Sequence, residues 1–378
     1  MAGKPSYAPL RPMDVASRIE KFREHFQEWA VDAALVTNLT NISYLTGFTG
    51  SAAMLAITRD KVTFTTDGRY GIQSEAELSE SGALSRHKIE ITVGGLVAQK
   101  GALVGQLADQ AKIGLEADTV TWSQLDAFRA RWFDGQDLVA LSGAVEGLRR
   151  HKDAGEIDRI ARACAIADDA LSAIAPSLKD GPTEKEFAMA LDAEMRRLGA
   201  DDVSFDTIVA AGTNGAKAHH QPSDHQIAPG ELVVIDFGAL VDGYHSDMTR
   251  TLCVGQPSTD TRQKMFDVVF DSQARGVEAV KSGVTCGAVD EVCREAIKAH
   301  GWADAFSHST GHGVGLDIHE APAVANGVAD TLTPGQVVTV EPGVYLAEHG
   351  GVRIEDTVVV TENGCQVLTN APKELVIA

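Results

Sequence analysis

Two histidines, His312 and His319, lie among three glycines in the segment STGHGVGLDIHE at residues 309–320, and His308 lies just before it. Imidazole side chains can bind a metal, transfer protons or fill a core. The glycines argue against a regular helix. On a strand, the odd spacing would point the two rings to opposite faces. The segment alone therefore leaves its chemistry open, and the acids elsewhere in the chain must decide it.

Two aspartates lie in a predicted β-hairpin, ELVVIDFGALVDGYHSDMTRTLCVG, at residues 231–255. Both arms are rich in β-forming residues, and the letters VDG supply the turn. With a turn centred between Val241 and Asp242, Asp236 lies directly opposite Asp247, with Cβ atoms about 4.5–5.5 Å apart. Two unpaired carboxylates at that distance repel, and a divalent cation is the usual compensation. The alternative is that one acid lies in a bulge and faces water.

Two glutamates lie in a second predicted hairpin, VVTVEPGVYLAEHGGVRIEDTVVVT, at residues 337–361. Glu341 and Glu355 have residue 348 as their midpoint, where the letters EHGG predict the turn, so these acids also oppose each other. Both are surrounded by valine and isoleucine, where an unpaired charge is costly. The second hairpin therefore repeats the argument for a cation.

Four carboxylates and one imidazole form an oxygen-rich donor set. Such a set suits two divalent ions about 3.5–4 Å apart. It favours manganese, with cobalt, iron or zinc as alternatives, over a structural zinc held by thiolates. One histidine of the glycine-rich segment supplies the nitrogen. The residues thus predict a metal centre.

The first part of the chain predicts a separate α/β domain. Residues 14–29 place apolar side chains at helical spacing, and strand-like runs follow in AALVT, AAMLAIT and VTFTT. The polar segment LRRHKDAG at residues 148–155 separates this part from the rest. We therefore assign residues 1–147 to a first domain and residues 148–378 to a second.

The second part predicts a duplication. A long helix begins near Ala154, and the next has a capping box at Thr183 and a stop at Gly199. A hairpin follows, and the order helix, helix, hairpin then occurs again. Asp236 and Glu341 lie 105 positions apart, as do two apolar residues of the second helices. The shared offset suggests two related halves.

Composition excludes several classes of function. The net charge of -20 disfavours binding to nucleic acid or to an anionic membrane. No apolar run reaches membrane-spanning length, and the start, MAGKPSYAPLRPMD, lacks the apolar middle of a secretion signal. The five cysteines form no C-x-x-C pair, which argues against a disulfide framework or a thiolate zinc site. We expect a cytoplasmic protein.

Five motifs make the second part closely resemble the pita-bread metallopeptidases, the family of methionine aminopeptidase, prolidase, aminopeptidase P and creatinase. The motifs are IDFG, HSDMTRT, TGHGVGLDIHE, VEPG and VRIEDT, in family order across residues 155–378. The resemblance implies an α/β (α+β) fold: an N-terminal creatinase-like α/β domain, followed by a pita-bread domain with pseudo-two-fold duplicated halves. It also implies a homodimer.

The resemblance implies a role for each motif residue. The metal ligands would be Asp236, Asp247, His312, Glu341 and Glu355. Asp247 and Glu355 would be the bridging pair. His319 would contact the substrate near the scissile bond, and His308 would line a proline pocket. A further family histidine lies three residues before a proline, which selects His219 with His220 as a close rival.

Arg353 and the N-terminal segments NISYLTGFTGS and TDGRY resemble aminopeptidase P and prolidase-like proteins. We therefore expect hydrolysis of the Xaa-Pro bond at the N-terminus of peptides, with His219, His319 and Glu341 as catalytic residues. Glu341 would transfer a proton, and His308 and Arg353 would bind the substrate. The alternatives are a prolidase restricted to dipeptides, a hydrolase of a small non-peptide amide, and a non-catalytic binding module. The intact ligand set argues against the metal-free creatinase.

Overall fold

A computed structural model of the chain describes residues 7–377. The chain divides into two compact units, residues 12–149 and residues 150–377, and residues 7–11 group with the second. The domain boundary predicted from the sequence instead follows residue 147, with residues 7–11 in the first domain. The grouping of residues 7–11 has a local cause: the Tyr7 hydroxyl donates to Asp169 over 2.9 Å, and Arg11 pairs with Asp158 at 2.6 Å.

The first unit is a six-stranded mixed sheet with helices, in the strand order β4-β3-β2-β1-β5-β6. Strands β3 and β4 and strands β1, β5 and β6 pair in parallel, whereas β1–β2 and β2–β3 are antiparallel. The strands are β1 Ala33–Val36, β2 Ala53–Thr58, β3 Val62–Thr66, β4 Glu90–Val93, β5 Lys112–Glu116 and β6 Asp137–Leu141. The helices are α1 Arg18–Glu24, α2 Leu39–Thr46, α3 Gly71–Glu80, α4 Ala83–His87, α5 Leu96–Leu107, α6 Trp122–Ala127 and α7 Ala144–Arg149, with short 3₁₀ turns at Val15–Ser17 and Gly68–Tyr70 and a π turn at Phe128–Trp132.

The predicted helix over residues 14–29 is too long. A 3₁₀ turn leads into α1, which ends at Glu24, and turns continue to Ala30, whose φ is +54°. Phe22 and Phe26 are nevertheless buried. The apolar spacing therefore marked the buried face correctly, while the helix ends earlier.

The second unit repeats one order of elements. Its helices are α8 Ala154–Ile174, α9 Glu184–Leu198, α10 Asp260–Ala279 and α11 Cys286–Lys298, with short 3₁₀ turns at Ala175–Asp180, Gly212–Ala216 and Ala303–Ala305. Its strands are β7 Asp202–Val203, β8 Ile208–Ala211, β9 Leu232–Phe237, β10 Ala239–Val241, β11 Tyr244–His245, β12 Met248–Val254, β13 Gly311–Gly313, β14 Glu320–Val324, β15 Val337–Val340, β16 Gly343–Leu346, β17 Gly350–Arg353, β18 Asp356–Val360, β19 Cys365–Val367 and β20 Val376–Ile377.

Two sheets carry the hairpins of the second unit. One has the order β20-β12-β9-β8 and the other β14-β13-β15-β18-β19; two smaller sheets, β11-β10-β7 and β16-β17, extend the hairpins. Helices α8 and α9 precede the first hairpin, and α10 and α11 precede the second, so the predicted order helix, helix, hairpin is confirmed. Each pair of helices packs in its own apolar cluster.

The predicted ends of helix α9 are confirmed. Thr183 accepts from the backbone of Glu186, whose side chain returns the contact, and Gly199 ends the helix with φ at +118°. Helix α8 has a similar capping box at Asp153. Among the helices described, none combines the length and apolar character needed to cross a bilayer.

Candidate metal and substrate site

The first hairpin differs from its predicted register by two positions. Thr249, not Asp247, pairs with Asp236. The turn consists of Asp242 and Gly243, whose φ values are +49° and +80°, as type I′ turns require. The predicted direct opposition of the two aspartates is therefore wrong. Because a shift of two positions preserves the face of a strand, Asp236 and Asp247 still line the same cavity.

The second hairpin has its predicted register. Val340 pairs with Asp356, and Gly343 pairs with Arg353. Glu341 and Glu355 lie between these two pairs, in the same register. The prediction that the two glutamates oppose each other is confirmed.

A cavity of about 400 Å³ in the second unit gathers the predicted site residues. Its lining includes Asp236, Asp247, His312, Glu341, Glu355, His219, His308, His319 and Arg353. The hairpin strands supply the acids, and the glycine-rich segment supplies three of the histidines. Gly311 allows this because a Cβ on it would lie only 2.0 Å from the Thr339 carbonyl oxygen.

The acids and His312 form a compact donor cluster. Ligand atoms of Asp247, His312 and Glu355 all lie within 4.8 Å of one another. The His312 Nε2 atom lies 3.3 Å from Glu341 and 3.5 Å from Asp247. Its Nδ1 atom lies 3.0 Å from the Gly313 carbonyl oxygen, which can only accept. Nδ1 therefore carries a proton, and Nε2 is the ring atom that faces the carboxylates and could bind a metal.

Two carboxylate oxygens in this cluster are buried without a hydrogen-bond partner among the described residues: Asp236 Oδ1 and Glu355 Oε1. Their companion oxygens are satisfied, since Arg353 donates to Asp236 over 2.6 Å and Thr249 donates to Glu355 over 2.8 Å. A buried unpaired carboxylate oxygen is costly. An oxygen-rich donor set with two unpartnered oxygens fits a divalent cation.

The electrostatics of the cluster agree with this fit. Burial raises the pKa of Asp247 and Glu355 well above the usual range, and the neighbouring carboxylates raise both further. Burial also raises the pKa of Asp236. For Glu341, burial acts in the same direction, but the hydrogen bond and charge of His312 outweigh it and lower its pKa. A bound cation would offset the repulsion among these acids.

The adjacent residues His219 and His220 lie in two different environments. His219 lines the cavity. The lining does not include His220, whose Nε2 atom lies 2.9 Å from the buried carboxylate of Glu184. Of the two candidates, His219 is the one that a substrate could meet.

A chain of hydrogen bonds runs along one wall of the cavity. His308 Nε2 lies 2.7 Å from the Tyr345 hydroxyl, which accepts from Arg353 over 2.8 Å, and Arg353 also pairs with Asp236. Burial lowers the pKa of His308, and burial together with His312 lowers the pKa of His319, so both rings are neutral near pH 7.

Sequence reasoning missed Tyr345, Phe205 and Asp206. Tyr345 lies four residues after Glu341 in EPGVYL, and a polar aromatic residue on the arm of an acid-bearing hairpin was an available signal. Tyr345 contacts His308 and Arg353, which line the cavity, whereas Phe205 and Asp206 line it themselves. They lie in the irregular segment between β7 and β8, where no periodicity predicts the direction of a side chain.

Comparisons with known proteins cover most of the chain. Residues 158–362 match the sequence model of metallopeptidase family M24, and residues 18–151 match that of the creatinase/prolidase N-terminal domain. A solved structure of an Xaa-Pro dipeptidase from Bacillus anthracis is 38% identical, with a TM-score of 0.89, over 96% of this chain and 100% of that one. An Xaa-Pro dipeptidase of Pyrococcus furiosus is 35% identical over 95% of this chain and 99% of its own length. The structure of an X-Pro aminopeptidase from Thermotoga maritima MSB8 is 34% identical, with a TM-score of 0.83, over 94% of this chain and 100% of that one.

Proposed function

Because this chain belongs to metallopeptidase family M24 and carries a creatinase/prolidase N-terminal domain, we propose that it hydrolyses the Xaa-Pro bond of dipeptides. The similar proteins from Bacillus anthracis and Pyrococcus furiosus are named Xaa-Pro dipeptidases. They support a dipeptidase better than the aminopeptidase that the sequence analysis put first. The observation that carries the proposal is the cavity of this metallopeptidase, which gathers four carboxylates and one imidazole.

We assign the cavity to two divalent cations, with manganese as the expected ion. The assigned ligands are Asp236, Asp247, His312, Glu341 and Glu355, with Asp247 and Glu355 as the bridging pair. Two observations support the assignment: the tight cluster of Asp247, His312 and Glu355, and the unpartnered oxygens of Asp236 and Glu355. When bound, the cations supply Lewis acidity and lower the pKa of a water molecule.

The remaining residues of the cavity position the dipeptide and handle its protons. Glu341, one of the assigned ligands, accepts the proton of the attacking water. His319, neutral because its pKa is lowered, donates a hydrogen bond to the carbonyl oxygen as negative charge develops there. His219, which lines the same cavity, holds the peptide in register with these groups.

Recognition of proline rests on the wall formed by His308, Tyr345 and Arg353. Proline has no amide hydrogen, so shape decides its acceptance. The Tyr345 hydroxyl donates to His308 Nε2 and accepts from Arg353, and these two hydrogen bonds fix the positions of the side chains. We therefore assign His308 and Arg353 to substrate binding, with Tyr345 between them.

The test is hydrolysis of Ala-Pro by the full chain loaded with manganese. We expect cleavage of Ala-Pro, little cleavage of Ala-Ala, loss of activity with a chelator, and recovery on adding manganese. Asp247→Ala is the inactive control. Metal content near two ions per chain is expected by mass spectrometry of the metal. A loaded protein that cleaves no Xaa-Pro dipeptide would overturn the proposal.

A second candidate is cleavage of longer peptides. The X-Pro aminopeptidase from Thermotoga maritima, whose structure this chain matches over 94% of its length, favours it. The tripeptide Ala-Pro-Ala separates the two activities. Cleavage at a rate comparable to that of Ala-Pro would replace the dipeptidase proposal by the aminopeptidase.

We also propose a homodimer, as the family resemblance implies. Sedimentation velocity of the metal-loaded protein tests this assembly. A single species at the 40.0 kDa mass of one chain across the working concentration range would contradict it.

A further inference from the structure

Glu184, in the first turn of α9, is a buried carboxylate outside the metal cluster. Both of its oxygens are occupied by donors from the segment that carries His219. One oxygen accepts from the Ala211 amide at 2.7 Å and the Asn214 side chain at 3.1 Å. The other accepts from the Ser223 amide at 2.9 Å, the Ser223 hydroxyl at 2.6 Å and His220 at 2.9 Å. One carboxylate therefore ties together both ends of the segment at residues 211–223.

The charge of Glu184 is retained in the fold. Burial alone would raise its pKa, but the hydrogen bonds from Ala211, Ser223 and His220 outweigh burial and lower it. Hydrogen bonds to an ionised acceptor are roughly twice as strong as neutral ones. Ionised Glu184 is therefore a strong fixed point for the segment.

Backbone contacts reinforce the same attachment. The Glu184 amide donates to the His225 carbonyl oxygen at 3.0 Å, and the Lys185 amide donates to the Ser223 carbonyl oxygen at 3.2 Å. These are amides of the first helical turn, which have no partner within the helix. Carbonyl oxygens at the end of the segment thus cap the first turn of α9, and the Glu184 side chain contacts the same end of the segment.

The other side of the segment lies against strand β17. A Cβ on Gly215 would lie 2.8 Å from the Gly351 amide, and a Cβ on Gly351 would lie only 1.9 Å from the Gly215 carbonyl oxygen. Two glycines are therefore required for this approach. The Ala218 carbonyl oxygen, next to His219, accepts from Arg353 at 3.3 Å. The segment is held between Glu184 on one side and the second hairpin on the other.

From this arrangement we propose that Glu184 is a positioning residue for His219. It binds His220 and both ends of the segment, which turns His220 out of the cavity and leaves His219 in it. The His220 side chain is only 10% exposed, whereas His219 is exposed and lines the cavity. The role in positioning the peptide rests on the proposed function; the orientation of the two rings does not.

The orientation can be measured without activity. Diethyl pyrocarbonate modifies accessible imidazoles, and peptide mass spectrometry distinguishes His219 from His220. In the manganese-loaded chain we expect His219 to react at least about tenfold faster than His220. In Glu184→Gln the amide group of glutamine faces the donors, and the ratio should fall towards one. An unchanged ratio would overturn the proposal.

Kinetics then test whether Glu184 acts through His219. Outer-sphere residues typically change activity by about 10–100-fold, and we expect a loss in this range in kcat/KM for Ala-Pro with Glu184→Gln. In a His219→Ala background the same change should alter kcat/KM by less than about threefold. Equal losses in both backgrounds would mean a general structural role and would contradict the proposal.

Matched variants separate these effects from folding. Glu186→Gln lies one half-turn away, is exposed, and keeps a capping box because glutamine serves at that position. It should leave both the modification ratio and the kinetics unchanged. If Glu184→Gln does not fold, Ser223→Ala removes one of the hydrogen bonds and should shift the ratio in the same direction by a smaller amount. If no variant or wild-type chain cleaves Ala-Pro, the proposed function fails, while the modification ratio still decides the role of Glu184.

Discussion

Glu355 and Asp356 are adjacent in the chain, and both are buried, at 1% and 0% exposure, but they differ in their partners. Asp356 accepts from Arg250 at 3.0 Å, Gln273 at 2.9 Å and Thr369 at 2.8 Å, and it also pairs with Lys373. The Glu355 carboxylate accepts from Thr249 alone among the described residues, and its other oxygen has no partner there.

The pKa values of the two acids move in opposite directions. For Asp356, burial acts to raise the pKa, but the charges of Arg250 and Lys373 outweigh it and lower the value. For Glu355, burial raises the pKa well above the usual range, and the acids Glu341 and Asp236 raise it further. Burial of a carboxylate is thus a poor sign of function. The informative sign is a buried carboxylate that the protein itself leaves without a partner.

The strongest test of this contrast is Glu355→Gln. We expect kcat/KM for Ala-Pro to fall by about 10³-fold or more, roughly 4 kcal/mol, because the proposed bridging ligand is lost. Metal content should fall with it. The exposed Glu362→Gln, just beyond the same hairpin, is the matched control and should retain both. Full activity in Glu355→Gln would show that Glu355 is not a metal ligand.

Asp356→Asn should act on stability rather than on metal binding. Removing one partner of a buried charge pair typically costs about 3–5 kcal/mol, and we expect about 3 kcal/mol because asparagine still accepts one hydrogen bond. Urea denaturation of the metal-free protein measures the change. The folded variant should still bind manganese. A loss of metal affinity as large as that of Glu355→Gln would erase the distinction between the two acids.

Manganese itself should stabilise the chain through the unpartnered oxygens. At a free ion concentration about 100 times the dissociation constant, the expected gain is about 2.7 kcal/mol. Thermal unfolding with and without the ion gives the shift, which should survive in Asp356→Asn and shrink in Glu355→Gln. A shift of the same size in both variants would point to ion binding elsewhere.

The two hairpins show how much of the site can be predicted from the sequence alone. The register of the second followed from its EHGG turn. For the first, centring the turn on Asp242 and Gly243, a preferred type I′ pair, would have given the observed pairing of Asp236 with Thr249. An error of one residue in a turn moves a strand partner by two positions, so the aspartates kept their shared face. The alternation of side chains along a strand therefore predicts the shared face correctly even when the turn is misplaced by one residue.

Contacts between distant segments lie beyond such patterns. In the letters TEKE, the capping-box rule identified Glu186, and nothing distinguished Glu184, although its side chain reaches the segment of His219. That contact depends on how closely the 211–223 segment approaches β17, which the glycines at 215 and 351 permit. Helix α1 likewise ended early because tertiary packing, not apolar spacing, sets its length.

Glu184 is a third buried carboxylate to set beside Glu355 and Asp356. Like Glu355 it is buried, but like Asp356 it has hydrogen-bond donors at both of its carboxylate oxygens. Its pKa is lowered in the folded state from the ordinary value of 4.5, so its ionised form contributes stability that is present above pH 4.5. This contribution is lost as the pH falls through the folded-state pKa. Urea denaturation of the metal-free wild type and Glu184→Gln should therefore show a difference in unfolding free energy at pH 7 that shrinks on acidification below about pH 4.5. A difference that grows on acidification would mean that Glu184 is protonated in the fold and that its five donors do not hold an ionised carboxylate.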